Sequence, residues 1–212
     1  MFNDSKYKEI KQILSKNTEN CQIIAISKYH PRESVEKAIN CGLFDFGENR
    51  VLEAKEKFSE LKVKHPGIRL HLTGPLQSNK VKIAVSLFDI FHTLDREKIA
   101  IEFSKHKSEL SNKKIFIQVN TGEEKNKSGI LPNEFFEFKD FCMNDMGLNI
   151  VGLMCIPPVE DEPNKHFKFL KELLIKSNLD QLSIGMSNDY NIALRYNPTY
   201  IRLGTILFGK RN

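Results

Sequence analysis

Short apolar runs alternate with amphipathic stretches along nearly the whole chain. The first amphipathic stretch carries Tyr7, Ile10, Ile13 and Leu14 at helical spacing, behind a candidate cap at Asp4 or Ser5. A continuous apolar run of strand length follows, Gln22-Ile23-Ile24-Ala25-Ile26-Ser27. Pro31 at its start and Gly42 past its end bracket the next helix. Strand-like segments recur near 43–47, 69–73, 89–94, 114–120, 148–156, 181–185 and 200–204. Helical patterns lie between them near 50–62, 77–86, 96–109, 132–144, 163–176 and 188–196. Near-continuous apolar strands alternating with helices predict a parallel sheet covered by helices, an α/β fold. Eight such units predict a closed (β/α)8 barrel of the TIM type with an extra N-terminal helix. No linker or compositional break divides residues 1–212, so one barrel domain is expected.

Composition narrows the class without changing this picture. The chain is 40% hydrophobic and 28% charged, ordinary for a globular protein. No run approaches the ~18 apolar residues of a membrane span. Met1 to Lys6 lacks the apolar stretch of a secretory leader, so a cytoplasmic protein without a membrane partner is expected. The net charge of +5 is spread along the chain. Its densest basic stretch, Lys105 to Lys114, alternates with polar residues as a solvated face would. Nucleic-acid binding would need these charges gathered beside stacking aromatics and is not expected. Mild basicity favours a small anionic ligand. Cys21, Cys41, Cys142 and Cys155 form no CxxC pair, and the six histidines lack metal-ligand spacing. Reduced, buried thiols and no metal site are the reading, and a monomer is expected rather than a stable oligomer.

In such a barrel, functional groups sit at the C-terminal ends of the strands and in the loops that follow. Those ends carry Ser27-Lys28, Gly47-Glu48-Asn49, His71 through Pro75, His92 through Asp95, Asn120, Met154 through Pro157, Gly185-Met186-Ser187 and Arg202 through Thr205. Lys28 ends an apolar run, which brings its amine to the barrel mouth. Partial desolvation there favours the neutral, nucleophilic amine that imine formation needs. From position alone, a lysine snorkelling to solvent is the simpler account. The segments Ser183 to Asp189 and Gly204-Thr205 resemble a phosphate cup, with glycines freeing backbone N–H groups and hydroxyls adding donors. Ser187 could instead be a plain helix cap. Arg202 stands on one face of an otherwise apolar strand and needs an acceptor, either a strand-end carboxylate such as Glu48 or Asp95, or a ring nitrogen on a ligand. Asn49 and His71 could serve as a cap and a turn residue, yet their joint placement favours a ligand site.

These residues carry a resemblance. Ile26-Ser27-Lys28, Phe46-Gly47-Glu48-Asn49, His71-Leu72-Thr73-Gly74-Pro75-Leu76-Gln77-Ser78-Asn79-Lys80, Gln118-Val119-Asn120, Lys127-Ser128-Gly129, Gly152-Leu153-Met154, Leu182 through Ser187 and Arg202-Leu203-Gly204-Thr205 occur in order. Over nearly its whole length the chain resembles the pyridoxal-5′-phosphate homeostasis proteins. The resemblance implies an alanine-racemase-like barrel without the racemase's second domain. It implies pyridoxal 5′-phosphate held as a Schiff base on Lys28, with Arg202 facing the pyridine nitrogen and Asn49 beside the ring. Ser183, Ser187, Gly204 and Thr205, with backbone at Gly185 and Met186, would surround the phosphate, and His71 and Met154 complete the expected cofactor-binding set. Three positions depart from the family pattern: Arg50 replaces an aromatic, Leu70 a tryptophan and His30 a second lysine.

Arg202 also separates two function classes. An arginine stays positive and leaves the ring nitrogen unprotonated, which weakens the cofactor as an electron sink. The expected function is therefore intracellular cofactor binding and vitamin B6 and amino-acid homeostasis without turnover, with apo-enzymes that use the cofactor as possible recipients. A small pyridoxal-phosphate-dependent amino-acid racemase is the alternative, and a class I aldolase using Lys28 a more distant one.

Overall fold

The computed structural model describes residues 2–209. Eight strands form: β1 (Gln22–Ile26), β2 (Asp45–Glu48), β3 (Arg69–Leu72), β4 (Ile90–Leu94), β5 (Lys114–Gln118), β6 (Ile150–Met154), β7 (Gln181–Met186) and β8 (Tyr200–Leu203). They pair in parallel and in sequence order, and β8 returns to β1 to close a barrel. The helices are α1 (Asp4–Asn17), α2 (Arg32–Asn40), α3 (Val51–Lys64), α4 (Val81–Leu87), α5 (Glu97–Ser104), α6 (Lys107–Leu110), α7 (Phe135–Asp140), α8 (Pro163–Lys176), α9 (Tyr190–Ala193) and α10 (Thr205–Phe208). The barrel and its additional leading helix match the sequence expectation. Among the described residues no helix is long and apolar enough to cross a membrane.

Helix boundaries depart from the expectation where local turns interrupt the periodicity. The stretch 96–109 splits into α5 and α6, and 132–144 becomes a 3-10 turn, α7 and a π turn. The stretch 188–196 holds one α turn and one 3-10 turn, ended by Asn197 in the left-handed region at φ 50°. The strand expected over 148–156 is shorter. Gly147 at φ 61° precedes it, and Pro157 and Pro158 beyond it cannot donate to a ladder.

Period-2 alternation divides each strand between two environments. Outward-facing Phe46 and Phe91 pack on the helices, meeting Phe58 at 5.6 Å and Phe103 at 5.0 Å between ring centroids. The inward faces build a smaller apolar cluster of Ile24, Ile90, Phe116, Met154 and Tyr200, with Ile26 and Val151 against it. Among the described residues β8 is followed by the single turn of α10, too short to cover the barrel wall. α1 fills that place. Its start touches α10, where Asn3 donates N–H to Leu207 O at 2.7 Å and Phe2 meets Phe208. Its far end lines a cavity of about 380 Å³ with Gln22, Asp45 and Arg69, at the lower ends of β1 to β3. The helix thus runs the height of the barrel and buries Tyr7, Ile10 and Leu14.

Gly152 shows how tightly the strands are set. A Cβ there would stand 1.9 Å from the Gln181 carbonyl oxygen, a backbone atom that cannot step aside. Gly152→Ala is expected to cost about 2–3 kcal/mol, the scale of overpacking in a dense core. Gly67→Ala, whose Cβ meets nothing nearer than the Phe44 ring at 3.6 Å, should stay within about 0.5 kcal/mol of the parent. Urea unfolding of the two variants checks this, and equal losses would contradict the strand spacing.

Candidate functional site

The mouth of the barrel gathers four loops. Gln22, Ile24 and Ile26 alternate inward along β1, and Lys28, two residues further, continues that side above the strand end. Lys28 is half-buried, and the next residue, Tyr29, turns the chain away at φ 64°. A left-handed non-glycine residue costs about 1 kcal/mol or more and needs support. The support comes from α3: Tyr29 N–H donates to Glu53 Oε1 at 2.9 Å.

On the outer side of the same turn, three groups lock together. Ser27 Oγ donates to Glu48 Oε1 at 2.7 Å, and Lys57 Nζ donates to Glu48 Oε1 and to the Ser27 carbonyl, each at 2.9 Å. Glu48 is fully buried, and its second oxygen has no partner among the described residues. Burial pushes its carboxyl above the usual range, while Lys57 and the Ser27 hydroxyl pull it back. The clamp holds Ser27 and Glu53 holds Tyr29, the residues on either side of Lys28.

Across β1 stands Arg202, level with Ile24 and almost wholly buried. Its guanidinium donates to Ser183 O at 2.7 Å, Ser183 Oγ at 2.9 Å and Cys155 O at 2.8 Å. All three acceptors are neutral, so the ion pairs with Glu48 or Asp95 that the sequence allowed are not the ones made. Two residues on, Gly204 N–H donates to Ser187 Oγ at 3.3 Å and Ile206 N–H reaches the same oxygen at 3.5 Å. The loops after β7 and β8 are thereby joined at the start of α10, beside Ile26.

The expected cofactor-binding residues therefore separate into two levels. Lys28, Asn49, Ser187, Arg202, Gly204 and Thr205 lie at the mouth, with Asn49 accepting from Thr73 Oγ1 at 3.0 Å. Ser183 and His71 do not. Both are fully buried below Arg202, Ser183 level with Tyr200 and the His71 ring against the Tyr200 ring at 5.2 Å. Met154 is likewise part of the apolar interior. Met186 gives its N–H to Asp189 Oδ1 at 2.5 Å, and Gly185 at φ 89° is required by the approach of Ala193, 2.7 Å from a would-be Cβ. Local packing accounts for these two residues. The departures at the rim are also explained. Arg50 lies over the Tyr29 ring, 5.5 Å from its centroid, and His30 stacks on Phe208 at 4.9 Å.

Sequence reasoning singled out His71 and Ser183 but passed over Asp45 and the bonds that join them through His92. His71 Nε2 contacts Asp45 Oδ1, His71 Nδ1 contacts His92 Nε2, and His92 Nδ1 contacts Ser183 Oγ, each at 2.9 Å. Burial lowers His71 and takes His92 well below the ordinary histidine range. Asp45 is pushed up by burial but held below the usual carboxylate range by hydrogen bonds from His71 and Arg69. The inward alternation of Asp45, His71 and His92 along β2, β3 and β4 is the signal that could have found them.

Two consequences are measurable. Lys57→Met would leave Glu48 buried without its cation, with an expected loss of about 3–5 kcal/mol. Adding Glu48→Leu should recover much of it, and a single variant as stable as the parent would remove the clamp. The second concerns pH. An unfolded chain protonates His92 near pH ~6.5 while the fold does not, so its penalty is absent above that value and grows as pH falls. The limiting slope is about 1.4 kcal/mol per pH unit. His92→Gln, neutral throughout, should gain on the parent in unfolding free energy between pH 7.5 and 5.5. A pH-independent difference would contradict a neutral His92.

Comparison with known proteins places this geometry. The family model for the alanine racemase N-terminal domain matches residues 4–212. The chain is similar to the pyridoxal phosphate homeostasis protein of Vibrio cholerae, 37% identical over 202 residues that cover 90% of this chain and 86% of the relative. Its similarity to the Escherichia coli K12 protein of the same name is 34% over 209 residues, 93% of this chain and 88% of that one. PipY of Synechococcus elongatus, solved with pyridoxal phosphate bound, superposes with a TM-score of 0.83 at 32% identity, covering 96% of this chain and all of PipY. Alanine racemase of Acinetobacter baumannii shares the fold, with a TM-score of 0.76 at 17% identity over 62% of its length. With an alanine-racemase-type barrel and relatives at this identity along nearly its full length, the chain belongs to the pyridoxal phosphate homeostasis protein family.

Proposed function

We propose that this chain binds pyridoxal 5′-phosphate at the barrel mouth and holds it for cellular vitamin B6 and amino-acid homeostasis without turning it over. The observation that carries the reading is Arg202, a buried cation whose bonds all go to neutral oxygens. It lies one strand from the turn that bears Lys28 and two residues from the Gly204-Thr205 turn. A ligand with an acceptor nitrogen and an anionic group meets both needs there. Lys28 would hold the cofactor as a Schiff base, Arg202 would donate to its ring nitrogen, and Ser187, Gly204 and Thr205 would surround its phosphate. Asn49 would lie beside the ring. When bound, pyridoxal phosphate supplies an aldehyde for the lysine and a ring that withdraws electrons when its nitrogen is protonated.

The chain's own residues limit that withdrawal. Arginine does not surrender its proton, so Arg202 donates to the ring nitrogen and leaves it unprotonated. Retention and handover suit such a site better than racemisation, which also needs a second base. Apo-enzymes that use the same cofactor are the recipients in this reading, and a monomer suffices. The protein incubated with pyridoxal phosphate should be yellow, and Lys28→Ala should lose the imine absorbance while staying folded. Retention of that absorbance in Lys28→Ala would remove the covalent assignment. Sustained alanine racemisation by the parent, beyond its own stoichiometry, would overturn the non-catalytic reading.

A further inference from the structure

Between Arg202 and the opposite end of the barrel runs an unbroken file of side chains. Arg202 Nη1 meets Ser183 Oγ at 2.9 Å, and Ser183 Oγ meets His92 Nδ1 at 2.9 Å. His92 Nε2 meets His71 Nδ1 at 2.9 Å, His71 Nε2 meets Asp45 Oδ1 at 2.9 Å, and Asp45 Oδ2 meets Arg69 Nη2 at 2.5 Å. Five strands contribute. Only Arg69 reaches solvent freely, and both imidazoles are fully buried. His92 is stacked on Phe116 at 4.7 Å with the planes 9° apart, which fixes the plane of its ring.

The chemistry of the two ends determines where every proton lies. A guanidinium only donates and a carboxylate only accepts. His71 must therefore give its Nε2–H to Asp45, which leaves a lone pair on Nδ1 of the neutral ring. His92 must then donate its Nε2–H to that lone pair, which leaves its own Nδ1 as an acceptor. Ser183 has one hydroxyl proton and must point it at His92, so its oxygen turns lone pairs toward Arg202. The opposite tautomer of His92 would set two lone pairs against each other at 2.9 Å in a dry interior, an arrangement that forfeits a buried hydrogen bond. Burial disfavours a second proton on either ring, which keeps the order one-way.

We propose that Asp45, at the floor of the barrel, is a positioning residue for Arg202 at its mouth. Its carboxylate selects the tautomers of His71 and His92 and so directs the Ser183 hydroxyl proton to His92 Nδ1, which fixes how the lone pairs of Ser183 Oγ meet the guanidinium. The proton order does not depend on cofactor binding, whereas its consequence for the cofactor rests on the reading given under Proposed function. Arg69 assists by holding the second oxygen of Asp45, and it does so from the lower cavity under α1, outside the cofactor site.

The test is ring-nitrogen NMR of the 15N-histidine-labelled, cofactor-free protein at pH 7.5, with signals assigned through His71→Gln and His92→Gln. Both His71 and His92 should carry hydrogen on Nε2 and a lone pair on Nδ1. A proton on either Nδ1 would overturn the proposal, and this needs no variant to fold beyond those used for assignment. Arg69→Leu leaves the Asp45 carboxylate to accept from His71 and should keep both tautomers, with pyridoxal phosphate affinity within about 3-fold of the parent. Asp45→Leu should lose the order and weaken cofactor binding by about 10-fold, the scale of one charge-assisted hydrogen bond. Equal affinities for Asp45→Leu and the parent, or equal losses in Arg69→Leu and Asp45→Leu, would overturn the positioning role. Lys28→Ala keeps the parent's tautomers under this proposal, so failure of the covalent reading and failure of the relay give different spectra.

Discussion

A guanidinium enclosed in a barrel has no water to solvate it and cannot become neutral, so the surrounding backbone must come to it. Arg202 takes two oxygens from Ser183 and one from Cys155, which ties the end of β8 to β7 and to the loop after β6. On its other side, the pairing of Ile24 with Arg202 sets the register of β1. The position of Lys28 follows from that register, since it stands four residues beyond Ile24 on the same side of the chain. The lysine and the arginine are thus placed relative to each other by barrel closure, before any ligand is present.

Two polar systems brace the rim from opposite sides of the barrel wall. Inside, the file from Arg202 to Asp45 joins each side chain to the next by a directed bond. Outside, Glu48 and Lys57 hold Ser27, while Glu53 holds the left-handed turn at Tyr29. Neither system is worth much as net stability, because burying charges costs nearly what their attraction returns. Both exclude alternative arrangements, since breaking either leaves a buried charge or lone pair without a partner. This distribution leaves Tyr29 in the loop above the site and Leu52 in the first turn of α3 exposed while the residues beneath them are held.

The strand count was legible because eight apolar runs each buried one face against helices and one against the barrel interior, whereas three of the helical stretches divide into separate turns. Boundaries were less so. Periodicity continues through His106 and through Phe141, but the backbone changes to other turns there because tertiary packing outweighs a weak local preference. Among site residues, Lys28 and Arg202 stood out as polar residues ending or interrupting apolar strands. Asp45 and His92 did not, because a single inward polar residue on a short strand looks the same whether it is a lone buried group or part of a file.

Alternation along a strand tells which face a side chain takes, and this much the amino-acid order determined: the barrel, the inward side of Lys28 and Arg202, and the paired loops around Ser187 and Gly204. Depth inside the barrel depends on the stagger between neighbouring strands, which no local pattern encodes. For that reason Ser183 and His71 read as ligand contacts in the sequence, yet they lie below the mouth as links between Arg202 and Asp45. Only closure of the sheet, which brings β2, β3, β4, β7 and β8 around one axis, decided that these five side chains would share their protons.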